Sequence, residues 1–168
     1  FEFTIMTNQG NDSRAKTVEI IQKKLKEIGI TVKPRVMEWA SFLQRIDKKD
    51  FEAVVLGWTI GQDPDLFDVW HSSKTQPKEL NFISYKNPEV DELLIKARET
   101  FNQEERKKYY HRIQEILADD APYTFLYVPD ALPAVHARFR GIEPAPAGIM
   151  HNFIKWYVPE GEQKYVKK

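Results

Sequence analysis

The chain has 168 residues, 42% of them hydrophobic and 30% charged, with 25 basic and 25 acidic side chains and a formal net charge of zero. That suits one domain, or one lobe of a larger protein, with a real core. The balance gives no footprint for nucleic acid, whose binding rests on neutralising phosphates, and the absence of cysteine excludes disulfide scaffolds, thiolate metal sites and cysteine nucleophiles.

The first residues, FEFTIMTNQGN, carry neither an initiator methionine nor the basic region of a signal peptide. They read as a strand that starts in mid-fold, so a piece of something longer is expected. No apolar run approaches the roughly 20 residues that span a bilayer. After turn chemistry at 8–12, Val18, Ile21, Leu25 and Ile28 fall three and four apart, the apolar face of a helix. Gly29 stands where a left-handed cap belongs. Residues 30–37 form a second strand, placed at an edge or bulge by Pro34. The strand–helix–strand order predicts a parallel pair with a right-handed crossover.

Trp39, Phe42, Leu43 and Ile46 mark a short second helix. Residues 51–58 read as a third strand, apolar almost throughout, as a strand covered on both faces would be. It runs into a proline-broken loop, with a helical turn around 64–70. Asn87-Pro88 is a strong helix start, followed by the stripe Val90, Leu93, Leu94, Ala97 and Phe101. Asn102 with Glu105 resembles a capping box and opens a helix carrying Tyr109, Ile113, Ile116 and Leu117. With almost no linker, the two helices should form an antiparallel or sharply bent pair. Pro122 ends the second, and residues 123–128 read as a fourth strand. Beyond 129 the chain is proline-broken yet apolar, like an extended segment lying against another surface.

Recognisable catalytic motifs are missing: there is no G-x-S-x-G, no phosphate-binding glycine loop and no H-E-x-x-H. His71, His111, His136 and His151 stand alone, and only His71, after Trp70, lies near a candidate site. Asp63 and Asp65 flank Pro64. Two close carboxylates suit acid–base work or a hard cation, but a turn followed by a helix cap explains them as well. Trp39 and Trp58 can be core residues or ligand walls, and so can Phe125 and Tyr127.

Four phrases in order resemble the C-terminal half of the extracellular solute-binding proteins of family 5, the oligopeptide, dipeptide and nickel receptors of bacterial ABC transporters. They are Ala15 with 21–32 (IQKKLKEIGITV), 38–43 (EWASFL) with 51–53 and Gly57-Trp58, 63–65 (DPD) with 81–91 (NFISYKNPEVD), and Arg106, Tyr109 and 114–117 leading to 120–122 and 125–127. The resemblance implies an α/β lobe of a type II periplasmic-binding-protein fold over residues 1–129. It further implies a tail, 130–168, that would pack on an N-terminal lobe not included here.

The function it implies is capture of a solute between two lobes for a membrane permease, in the periplasm or outside the cell, without catalysis, metal or cofactor. A lipid anchor on the full-length protein is compatible with it. Trp39, Gly57, Trp58, Thr59, Gly61, Gln62, Asp63 and Tyr127 are the ligand-binding residues it points to. In the peptide receptors an aspartate three residues after the tryptophan of the Gly-Trp phrase anchors the peptide amine. Here Gly61 holds that position, so either Asp63 substitutes or there is no amine anchor. Peptide is the expected ligand, an oligosaccharide the alternative, and a hydrolase the distant one. A separated lobe would expose its cleft and is expected to self-associate.

Overall fold

A computed structural model describes residues 1–164 and divides the chain into two compact units, Phe1–Thr124 and Phe125–Lys168. The first unit is built on three parallel strands in the order β2–β1–β3: β1 (Glu2–Asn8), β2 (Thr31–Met37) and β3 (Ala53–Val54). β1 pairs with β2 along its whole length, from Glu2 opposite Thr31 to Asn8 opposite Met37. It pairs with β3 only at Ile5–Ala53 and Met6–Val54. Strand period decides which helix covers which face. Ile5 packs with Val32, Val55 and Val18 of α1 (Asp12–Lys26). Met6, on the opposite face, packs with Phe42 and Ile46 of α2 (Trp39–Asp47) and with Phe82. A third core joins Val69 and Trp70 of α3 (Phe67–Trp70) to α4 (Pro88–Glu99) and α5 (Gln103–Asp120).

Local chemistry sets the helix starts. The side chains of Asn11, Glu38, Asn87 and Asn102 each accept from backbone N–H groups of the first turn they precede. Glu105 does not close a capping box, because its carboxylate takes the Tyr109 hydroxyl instead. α4 and α5 are antiparallel: Asn87, which caps the start of α4, donates to Asp120 at the end of α5. Asn81 is fully buried and ties the intervening loop together. Its amide donates to the carbonyls of His71 and Tyr85, and its oxygen accepts from the Tyr85 N–H.

Four expectations are corrected. α1 stops at Lys26, so Ile28 lies beyond it and is exposed, while Gly29 adopts φ 81° as the cap predicted. Phe101 falls in the joint after α4 ends at Glu99 and is 100% exposed. The third strand is two residues long, not eight. The Glu52 carboxylate takes the Thr4 N–H, which a longer β3 would pair through a backbone carbonyl. At the other end the Thr7 hydroxyl caps the Val55 carbonyl. Residues 123–128 form no strand among the described residues, since an apolar sequence becomes a strand only where a ladder partner is present.

The second unit is irregular rather than simply extended. Arg140 and Tyr157 form one antiparallel bridge. Trp156 packs on Phe139 and Phe153 and donates to Asn152, whose amide in turn reaches the Gly141 carbonyl. Gly141, at φ 78°, admits no side chain, because a Cβ there would lie 2.5 Å from the Lys155 carbonyl oxygen. Val128, Leu132, Phe153 and Ile154 remain exposed on this unit.

Candidate ligand-binding site

Parallel strands bring their carboxyl ends to one side, so Asn8, Met37 and Val54 open onto the same rim. A 2–1–3 order makes the gap between β1 and β3 the point where connections reverse, the position at which open α/β sheets take ligands. Two tryptophans stand on this rim. Trp39 is the first residue of α2, 46% exposed, and its ring stacks on Phe42 at 5.8 Å. Trp58 follows β3, is 37% exposed, and lies against Phe82 at 6.1 Å. Phe42 and Phe82 belong to one buried cluster. Each indole therefore has one face fixed by the core and one open to solvent.

Phe82 also contacts Tyr123 at 6.2 Å, and Tyr123 contacts Trp70 at 4.5 Å, so the aromatic packing continues from the rim into the helical core. Burial pushes the Tyr123 hydroxyl up to about 12, so this phenol stays neutral at physiological pH.

The loop after Trp58 carries Thr59, Gly61 and Gln62, all exposed and without a hydrogen bond among the described residues. Its carboxylates are already engaged. Asp63 accepts from Arg106 Nη2 at 2.9 Å. Asp65 accepts from Arg98 Nε at 2.8 Å and caps the Phe67 N–H at 3.0 Å, the turn-and-cap arrangement. Burial pushes Asp65 up, but the Arg98 hydrogen bond, the Phe67 N–H and the charges of Arg98 and Arg106 together hold it below the ordinary aspartate range. Glu38 is likewise taken by the Ala40 and Ser41 N–H groups. His71 stacks on Phe67 at 4.1 Å and accepts from the Ser73 N–H, a structural role.

The first unit thus places Trp39, Gly57 and Trp58 beyond the carboxyl ends of β2 and β3, with the 59–63 loop following directly. Tyr127 belongs to the second unit, where it is exposed. Two rim residues escaped the sequence reading. Asn8 ends β1 nearly buried, and its oxygen accepts from Arg14 Nη1 at 2.8 Å. Arg14 Nη2 lies against Gly57, where an added Cβ would sit 3.2 Å away. The signal was the first strand-to-helix turn, 8–14, which any sheet of this order sets at its switch point. A separate recess of about 400 Å³, lined by Thr4, Arg35, Arg45, Lys49 and Glu52 among others, lies toward the start of β3 and takes no part in this rim. Among the described residues no three His, Asp or Glu side chains gather as a metal site requires, and no helix is long and apolar enough to cross a membrane.

An open parallel sheet covered by helices on both faces, with exposed aromatics at its carboxyl rim, defines an α/β lobe of the type II periplasmic-binding-protein kind. Residues 1–79 match the family described as bacterial extracellular solute-binding proteins, family 5 Middle. The oligopeptide-binding protein AppA of Bacillus subtilis is 37% identical over 160 residues, covering 94% of this chain and 29% of the relative. The structure of AppA from Bacillus subtilis in complex with a nonapeptide superposes with a TM-score of 0.78 at 36% identity, over 94% of this chain and 32% of that one. DppA from Helicobacter pylori, in complex with the peptide STSA, gives 0.73 at 32% identity, over 97% of this chain and 31% of that one. The chain spans less than a third of the curated relatives it matches.

Proposed function

We propose that this chain is one lobe of the substrate-capture component of an ABC importer, and that the full protein closes on a peptide between this lobe and a second one. The pair Trp39 and Trp58 carries the reading: two broad apolar surfaces, each rooted on a buried phenylalanine, at the carboxyl rim of the sheet. Such surfaces hold varied side chains by contact area, and backbone groups and water meet a peptide's polar atoms. The peptide complexes of the two similar structures support the same ligand class. The exposed apolar side chains of the second unit fit a surface that packs on the other lobe. A permease is the partner that receives the ligand, in the periplasm or at the outer cell surface.

Native mass spectrometry of the full-length receptor from cell extract tests this. Co-purifying peptide masses are expected. Bound sugar masses would replace peptide with the oligosaccharide alternative, and turnover of chromogenic peptide or glycoside substrates would overturn the non-catalytic reading.

A further inference from the structure

We propose that the rim reads the carboxylate end of its ligand, through Arg14, rather than an ammonium end; the inference rests on the peptide-capture reading above. Apart from the exposed Asp12 at the start of α1, the acidic groups of the rim and its loop are engaged internally. Glu38 caps α2, Asp63 is held by Arg106, and Asp65 by Arg98 and the Phe67 N–H. Each aspartate already faces an arginine, so a ligand ammonium there meets a charge that is largely neutralised. Arg14 is the converse case. It is half-buried and hydrogen-bonds through Nη1 to Asn8, and it makes no ion pair with any described carboxylate. Arg45, Arg98, Arg106, Arg112 and Arg140 each have an acidic partner. Asp12 is two residues before Arg14, a spacing that sends the two side chains to different faces of α1.

The geometry around Arg14 is that of a held, partly desolvated cation. Asn8 fixes one nitrogen from the end of β1, and Nη2 fills the space beside Gly57. Any larger residue at 57 would press on the guanidinium. That leaves further N–H donors of a planar fork at the switch point, one residue from Trp58. A guanidinium so placed suits bidentate capture of a carboxylate, with the adjoining side chain of the ligand lying on the indole. The carboxylate can be a peptide C-terminus or an acidic side chain.

The test is calorimetric titration of the ligand-free full-length receptor with one tetrapeptide of small and aromatic residues. It is prepared as free acid, as C-terminal amide, as N-acetyl acid, and as an amide carrying one glutamate. The free acid is expected to bind about tenfold to a hundredfold more tightly than the amide, and N-acetylation to matter far less. Arg14→Gln should bring the acid-to-amide ratio to about one. Gly57→Ala, which keeps the charge and displaces the guanidinium, should lower the ratio as well and serves if the first variant folds poorly. Rescue of the amide by glutamate identifies recognition of any carboxylate, and no rescue identifies the C-terminus. Equal binding of acid and amide, or a preference that survives both variants, overturns the role of Arg14 alone. Failure of every form to bind overturns peptide capture itself.

Discussion

Asp63 and Arg106 are 43 positions apart in sequence and 2.9 Å apart in space, joining the loop after Trp58 to the first turn of α5. The neighbouring Asp65 makes the parallel connection to Arg98 near the end of α4. The loop is thereby tied to the helical half of the unit by two ion pairs, and its charges are neutralised before any ligand arrives.

The two pairs should behave differently under mutation. Asp63 is largely exposed, so Asp63→Asn should leave the denaturation midpoint unchanged within error. Asp65 also accepts from the Phe67 N–H at the start of α3, and Asp65→Ala should cost about 1 kcal/mol. Because Asp65 is held below its ordinary value of 3.8, its contribution is full at neutral pH and is lost as pH falls through that lowered value. Wild type and Asp65→Asn should therefore converge in stability below about pH 4. Urea melts from pH 7 to 3 measure this; a difference that grows on acidification would contradict it.

Trp39 and Trp58 should separate binding from stability. Truncating either to alanine leaves its phenylalanine platform in place, and in the full-length receptor it should weaken peptide binding about tenfold to a hundredfold. Phe82→Ala removes the platform under Trp58 from a fully packed core, and should destabilise the fold by about 3–5 kcal/mol. Calorimetry and chemical denaturation read the two quantities. Loss of stability in the tryptophan variants without loss of affinity would return both indoles to the core.

Asn81→Leu keeps the volume and leaves the Tyr85 N–H and the carbonyls of His71 and Tyr85 without their partner inside the fold. Each orphaned buried group costs about 1–3 kcal/mol, so the variant should unfold well below the wild type. Hydrogen exchange should show the Tyr85 amide losing protection first.

Ala121 ends α5 at φ 44°, ψ 49°, a left-handed conformation that strains a residue with a Cβ. Ala121→Gly should stabilise the unit by about 0.5–1 kcal/mol. A lowered melting temperature would show that the flanking Pro122 already compensates for the strain.

The local elements were legible because their signals are local. Asn87-Pro88, Asn102 and Gly29 fix helix ends through caps formed within a few residues, and the apolar spacing of α4 and α5 held apart from Phe101, which lies past the end of its helix, and Tyr109, in whose place Tyr110 packs on the core. Residues 51–58 and 123–128 misled because apolar runs report burial or propensity, whereas a ladder needs a neighbour. Glu52 and Thr7 interrupt the first pairing with side-chain hydrogen bonds that no run of hydrophobic residues reveals. The tryptophans could be picked out as candidates. Arg14 could not, because its importance comes from Gly57, 43 positions away.

The sequence by itself determined the helices, their caps, the parallel α/β order and the family phrases, since each rests on chemistry within one turn or one motif. Tertiary structure alone decided the electrostatics of the rim. Folding paired Asp63 and Asp65 with arginines from later helices and set Arg14 beside Gly57 without a carboxylate, because Coulomb partners are chosen by distance in space and not along the chain.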